Sequence, residues 1–187
     1  VGSRVDITKP FIVVMQHPVT TESGNRAHIE MTLRAVDALN IPAVWFWPNS
    51  DAGTAEMAKA IRVYREMGKL TNDKIHFVID LLPEDFIALL RRAKALVGNS
   101  SAGIKESSYL GVPVVNIGTR QLNRLRASNV LDVGYDKAAI KKAITKQIAH
   151  GPYPASSLYY RPGTSKRIVE ILAKIPLQSQ KKFYETA

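Results

Sequence analysis

Two serines, a glutamate and an arginine carry the most legible chemistry of this chain, and all fall within Gly98–Gln121 (GNSSAGIKESSYLGVPVVNIGTRQ). An apolar run, Ala95-Leu96-Val97, leads into Gly98-Asn99-Ser100-Ser101. A helix-compatible segment holding Glu106 follows, Gly111-Val112-Pro113 breaks it, and Val114-Val115 opens a second apolar run. The order is strand, small-residue turn, short helix, strand. Such a turn presents backbone N–H groups and the hydroxyls of Ser100 and Ser101 at a helix start, where the helix dipole favours an anion. Glu106 lies about one and a half helical turns further on, a span suited to reach from phosphates to a ribose diol. Arg120 comes just after the second strand, and a guanidinium recognises phosphate bidentately. Together these residues predict a nucleotide held by its phosphates and its ribose. Plainer readings fit the same letters: serines that only cap the helix of a βαβ crossover, and an arginine that only decorates the surface. A small-residue turn does not by itself separate them.

Three further residues occupy similar places. His17 follows an apolar run and precedes Pro18, which biases its backbone away from helix. Asn49 and Asp51 lie in Pro48-Asn49-Ser50-Asp51-Ala52-Gly53. By type and position alone His17 reads as a structural loop residue, and the second group as turn chemistry followed by helix capping. His28, His76 and His150 lack any chemical context and read as structural. No His/Asp/Glu cluster has ligand-like spacing, so neither a metal site nor a cofactor is expected.

The elements that must position these residues alternate along the chain. Phe11–Met15 (FIVVM), Ala43–Trp47 (AVWFW) and Ile75–Ile79 (IHFVI) are continuous apolar runs of the kind found in parallel strands buried on both faces. Between them Ile29, Leu33 and Val36, then Met57, Ile61 and Tyr64, then Phe86, Leu89, Leu90 and Ala93 recur at helical intervals. Pro83 followed by Glu84 and Asp85 opens the third helix. Asn129–Val133 reads as a last short strand, Ala138–Ala149 as a basic helix, Tyr153–Gly163 as loop and Ser165–Lys174 as helix. The repeated βα pattern predicts an α/β, three-layer Rossmann-like, doubly wound parallel sheet. In such sheets ligands bind beyond the carboxyl ends of the strands. His17, Asn49, Asp51, Ser100 and Arg120 all follow predicted strands and are expected on one rim.

Composition narrows the partners. A chain of 187 residues, 45% hydrophobic and 22% charged, suits one globular domain over residues 1–187, with a linker at 1–9 and a polar tail at 175–187. No apolar run nears the roughly 20 residues that span a bilayer, and Val1–Asp6 lacks the apolar core of a signal peptide. With no cysteine there is no disulfide framework. No membrane contact and a cytoplasmic location are the expectation. The net charge of +10 is uneven: Val1–Ile117 holds 13 Lys/Arg against 12 Asp/Glu, and Gly118–Ala187 holds 13 against 4. No recognition motif accompanies this skew, so nucleic acid is not an expected partner. Lys137, Lys141, Lys142 and Lys146 recur at helical intervals and read as a solvated face; a positive cleft would also suit an anionic substrate.

Beyond this physics, the Gly98–Gln121 stretch resembles the nucleotide-binding segment of the UDP-N-acetylglucosamine 2-epimerases, above all the hydrolysing branch that opens nonulosonic-acid (sialic-acid-type) synthesis. Gln16-His17-Pro18-Val19-Thr20-Thr21, Trp45–Gly53 (WFWPNSDAG) and Leu82-Pro83-Glu84-Asp85-Phe86 agree with it. The resemblance runs from about Phe11 to about Leu172 but matches only the C-terminal half of such an enzyme. It implies one half of a glycosyltransferase-B-like fold, binding UDP-N-acetylglucosamine or UDP, partnered by a missing N-terminal half and paired as a homodimer. The complete enzyme would remove the proton from sugar carbon 2, expel UDP and, in the hydrolysing branch, add water to release N-acetylmannosamine. The same likeness implies roles: His17 is functional, Asn49 and Asp51 touch the sugar or diphosphate, Ser100 and Ser101 grip the diphosphate, and Glu106 takes the ribose. His17 would donate to the leaving diphosphate or shuttle a proton with a pKa near working pH.

Two departures stand out. Relatives continue Gly-Arg-Glu-x-Gly after the Gly-Thr-Arg-Gln block, whereas here Asn123-Arg124-Leu125-Arg126-Ala127 follows. This removes backbone freedom and an acid. A Gly-Asp-Gly loop of many relatives is replaced by Tyr160-Arg161-Pro162. Two other functions fit the letters: the donor domain of a UDP-sugar glycosyltransferase, and a non-catalytic nucleotide-binding module.

Overall fold

The computed structural model describes residues 6–67 and 74–176. Of the linker assigned to residues 1–9 only 6–9 are described, and most of the assigned tail, residues 177–187, lies outside the described residues. Among the described residues six strands run parallel in one sheet: β1 (Ile12–Met15), β2 (Ala43–Phe46), β3 (Ile75–Val78), β4 (Leu96–Gly98), β5 (Val114–Ile117) and β6 (Val130–Val133). Their spatial order, β3-β2-β1-β4-β5-β6, is that of a Rossmann sheet. The expected α/β class is therefore correct.

Among the described residues seven helices connect or follow the strands: α1 (Asn25–Asp37), α2 (Thr54–Glu66), α3 (Pro83–Arg92), α4 (Ser101–Ile104), α5 (Glu106–Leu110), α6 (Lys137–His150) and α7 (Thr164–Leu172). The continuous apolar strands explain why both faces of the sheet are covered, since successive side chains point to opposite sides. Ile12 and Val14 join one core with Ile29 and Leu33 of α1, Met57 and Ile61 of α2, and Ile140 and Ile144 of α6. Phe11 and Val13 join the other core with Leu90 of α3 and Ala102 of α4. On α6 Ile140, Ala143 and Ile144 are buried while Lys141, Lys142 and Lys146 are exposed. The lysine repeat is thus the outer face of an amphipathic helix.

Strand order reverses between β1 and β4, where the chain leaves β1 toward opposite edges of the sheet and a crevice opens. Gly98 ends β4 beside Met15, at φ 129. A Cβ there would run into the Met15 carbonyl oxygen, so only glycine allows this close approach. One local expectation changes. The helix-compatible segment after Ser100 is not continuous: Lys105, at φ −96 and ψ −74, separates α4 from α5. Any dipole aimed at the Ser100 turn is that of a single helical turn.

Candidate active-site rim at the strand ends

The carboxyl ends of β1, β2, β4 and β5 bring four of the expected residues into one hydrogen-bonded network. Its anchor is Asn99, buried directly after β4. Asn99 Oδ1 accepts from the His17 backbone N–H at 2.7 Å, and its Nδ2 donates to the His17 carbonyl at 2.8 Å. This reciprocal clamp fixes the backbone of the residue after Gln16 across the switch point. The imidazole is held in turn, because the Asn49 backbone N–H donates to His17 Nδ1 at 3.1 Å. Accepting at Nδ1 assigns the proton of neutral His17 to Nε2, which is left as a donor.

Burial first and the Arg120 cation second, only partly offset by the Asp51 carboxylate, push the His17 pKa down from 6.5 to about 4. The expected pKa near working pH is therefore corrected downward, and the imidazole is held neutral. Its partly exposed neighbour Asp51 stays ionised, with a pKa lowered by the bond from Asn49 first and by Arg120 second. Asn49 Nδ2 donates to Asp51 Oδ2 at 2.6 Å, and Arg120 pairs with the same oxygen at 3.1 Å. Arg120 also donates to the Asn99 carbonyl at 3.4 Å. Gln121 donates to that carbonyl at 2.7 Å, which closes the network.

The plainer readings now divide. Ser100 does cap a helix, accepting from the Ala102 N–H at 3.3 Å. Asp51 caps nothing: α2 starts from Gly53 without a side-chain cap, and Thr54 instead fastens the turn to the Asn49 and Asp51 carbonyls. Nor is Arg120 a surface decoration, since it is tied to both β2 and β4 loops. An ionised Asp51 cannot receive a phosphate, because it accepts and does not donate. It can orient Arg120 and accept from a hydroxyl.

Two hollows flank the network. A cleft of about 620 Å³ is walled by apolar groups including Met15, Trp47, Ile79, Leu81 and Phe86, with His17 and Asn49 at its polar edge. Phe86 is braced edge-on against Phe46, ring centres 5.7 Å apart. A second, more polar hollow of about 400 Å³ is lined by Thr20, Thr21, Asp51, Thr119 and Arg120. Around them Gln16 Oε1, Asn49 Oδ1 and Gln121 Oε1 are buried acceptors without a protein donor. Buried polar atoms normally have a partner. Among the described residues no group of three or more His, Asp or Glu stands together to hold a metal ion.

Glu106 is not brought into this network. It is exposed at the start of α5 and lines a separate groove with Lys105, Tyr109 and Tyr160. Tyr160 of the altered Tyr-Arg-Pro loop packs against Tyr109 with ring centres 4.0 Å apart and planes tilted by 34°, so that departure falls beside Glu106. The other altered loop is held by contacts of its own. Asn123 adopts a left-handed conformation at φ 62, a state asparagine tolerates better than most residues. Arg126 approaches Asp132 to 2.8 Å and donates to the Gln121 carbonyl at 3.0 Å.

Asn99 as a clamp, Gln121 as its lower tie and the apolar cleft were not foreseen from sequence. Asn99 could have been suspected from its place directly after a buried strand; nothing local marks the other two.

Comparison with known proteins identifies the family of the chain. The family profile of UDP-N-acetylglucosamine 2-epimerase matches residues 3–173. A UDP-N-acetylglucosamine 2-epimerase of Neisseria meningitidis is 32% identical over 148 residues, covering 79% of this chain and 38% of that protein. The hydrolysing UDP-N,N'-diacetylbacillosamine 2-epimerase of Legionella pneumophila is 30% identical over 176 residues, covering 94% of this chain and 45% of that protein. The chain thus spans less than half the length of these relatives. Among solved structures, UDP-GlcNAc 2-epimerase from Neisseria meningitidis bound to UDP-GlcNAc superposes with a TM-score of 0.66 at 17% identity, over 91% of this chain and 46% of that one. The enzyme of Methanocaldococcus jannaschii superposes with a TM-score of 0.66 at 16% identity, over 91% and 46%. On the extent of the family match, the chain belongs to the UDP-N-acetylglucosamine 2-epimerase family.

Proposed function

We propose that this chain is the UDP-binding, C-terminal half of a hydrolysing UDP-N-acetylglucosamine 2-epimerase, one Rossmann-like domain over residues 1–187. The observation that carries the reading is the network joining His17, Asn49, Asp51 and Arg120 around Asn99 at the sheet's switch point. Two of the similar proteins are named as hydrolysing 2-epimerases, and a solved neighbour is bound to UDP-GlcNAc. In this reading the uracil lies in the apolar cleft beside Phe86. The diphosphate meets His17 Nε2–H, the Ser100–Ser101 turn and Arg120, and Glu106, on its own groove outside that network, takes the ribose. Asp51 orients Arg120 and accepts from the sugar.

Expelling UDP builds negative charge on the diphosphate, and fixed donors stabilise that charge without reorganising. A neutral imidazole pinned at Nδ1 is such a donor, and an ion-paired guanidinium is another. The carboxylates that move the proton at sugar carbon 2 belong to the other half of the enzyme. The chain alone therefore binds UDP without efficient turnover, and acts in the cytoplasm as part of a homodimer of complete enzyme. Calorimetry with UDP tests the reading: binding that weakens in Arg120→Ala supports it. No heat at saturating UDP, or efficient turnover of UDP-N-acetylglucosamine by this chain alone, overturns it.

A further inference from the structure

The loop that carries Arg120 is fastened from the side by a residue of the β1–α1 connection. Glu22 Oε1 accepts the Thr119 hydroxyl, and Glu22 Oε2 accepts the Tyr135 phenol at 3.0 Å. Thr119 follows β5 and Tyr135 follows β6, so one carboxylate joins three connections on the same rim. Both of its partners are themselves held. Tyr135 lies flat on the His28 ring of α1, ring centres 3.5 Å apart and planes within 1°. Gly118, at φ 75, leaves the space that the Tyr135 hydroxyl occupies. The Glu22 end is fixed by the buried Asn25 side chain, which bonds the Val19 backbone N–H at 2.8 Å and the Val19 carbonyl at 3.2 Å.

Thr119 adjoins Arg120, whose guanidinium must lie between the Asp51 carboxylate and the Asn99 carbonyl. Backbone bonds hold the two ends of this short loop: Gly118 N–H donates to Val133, and Leu122 N–H to Thr119. The Thr119 side chain has Glu22 as its anchor. Fixing a side chain before the ligand arrives spares the entropy of fixing it on binding. We infer that Glu22 is a positioning residue for Arg120, presetting the guanidinium for an anionic group in the hollow that Thr20, Thr21 and Arg120 line. The inference rests on the UDP-binding reading and extends it to a residue that touches no ligand itself.

The test is UDP calorimetry on the wild-type chain, Glu22→Ala, Glu22→Gln, Arg120→Ala and the Glu22→Ala/Arg120→Ala double variant. Glu22→Ala should weaken UDP binding about tenfold, the effect of one charged hydrogen-bond bridge. Glu22→Gln, whose amide oxygen still takes one hydroxyl, should bind within about threefold of wild type. In the Arg120→Ala background the loss of Glu22 should add nothing. Thr119→Val removes the hydroxyl with little change of shape and should reproduce the weakening where Glu22→Ala does not fold. Wild-type affinity in Glu22→Ala and Thr119→Val overturns the inference, as does an equal further loss when Arg120 is already absent. If wild type itself binds no UDP, the functional reading falls and this assignment falls with it.

Discussion

Protonating His17 should destabilise this fold by about 2 kcal/mol at pH 5 relative to pH 8, and replacing it with glutamine should abolish that loss. The folded imidazole titrates near 4 rather than 6.5, chiefly because it is buried and secondarily because Arg120 faces it. The unfolded chain takes up the proton first as pH falls. Between the two values the unfolded state binds more protons, so stability is full above pH 6.5 and declines toward pH 4. At roughly 1.4 kcal/mol per pKa unit the whole swing is about 3 kcal/mol, of which about 2 is gone by pH 5. Geometry points the same way, since a proton on Nδ1 would face the Asn49 N–H that now donates to it. Asp51 loses its charge only below its ordinary 3.8, outside this window. His28, whose pKa burial also lowers, contributes equally to both proteins. Urea denaturation of wild type and His17→Gln at pH 8 and pH 5 measures the difference, and an NMR titration of the imidazole locates its midpoint. Equal losses in both proteins, or a midpoint at or above 6.5, would refute the assignment of His17 as a neutral donor.

Other outcomes follow from the same contacts. Asp51→Asn removes the charge that raises the His17 pKa, so the imidazole midpoint should move still lower by NMR, with Arg120 no longer neutralised. Gly98→Ala forces a Cβ toward the Met15 carbonyl at a φ that alanine disfavours, and should cost about 2 kcal/mol or more in chemical denaturation. Arg126→Met breaks the bond to the Gln121 carbonyl and the pairing with Asp132; denaturation should show a loss of about 1 kcal/mol. Phe86→Ala opens the apolar cleft and should weaken UDP more than inorganic diphosphate in parallel calorimetry, because only UDP carries a base.

The sheet was readable because its strands are apolar on both faces. Ile12–Met15 and Ala43–Phe46 are too short to be buried helices, and each helix between them repeats its apolar residues at helical spacing. The rim followed from topology, since residues just after parallel strands must gather at one end. Tertiary pairing was not readable. Asn99 and His17 are 82 residues apart, and Glu22 and Tyr135 are 113 apart, so no local pattern announces either contact. The break at Lys105 is illegible in the sequence for a related reason: that residue is compatible with helix, and its deviation belongs to the chain path between β4 and β5.

The altered Asn123–Ala127 loop departs from the family pattern and ties into the rim through its own contacts. The loop needs one residue in left-handed conformation and a hold on the Gln121 carbonyl. Asn123 satisfies the first at φ 62, at the cost of mild strain. Arg126 satisfies the second, steadied by Asp132, which also accepts from the buried Asn116 at 2.6 Å. Gln121 in turn holds the Asn99 carbonyl, and Asn99 holds His17. Position along this chain of contacts predicts the size of the effect. Changes at Arg126 should act on stability first, whereas changes at Asn99 should act on His17 directly. Asn99→Ala should thus alter the His17 titration and UDP affinity together, and Arg126→Met should leave the His17 midpoint near 4. A shift of that midpoint in Arg126→Met would show instead that the loop sets the electrostatics of the rim, and the glycines of other family members would then carry more than backbone freedom.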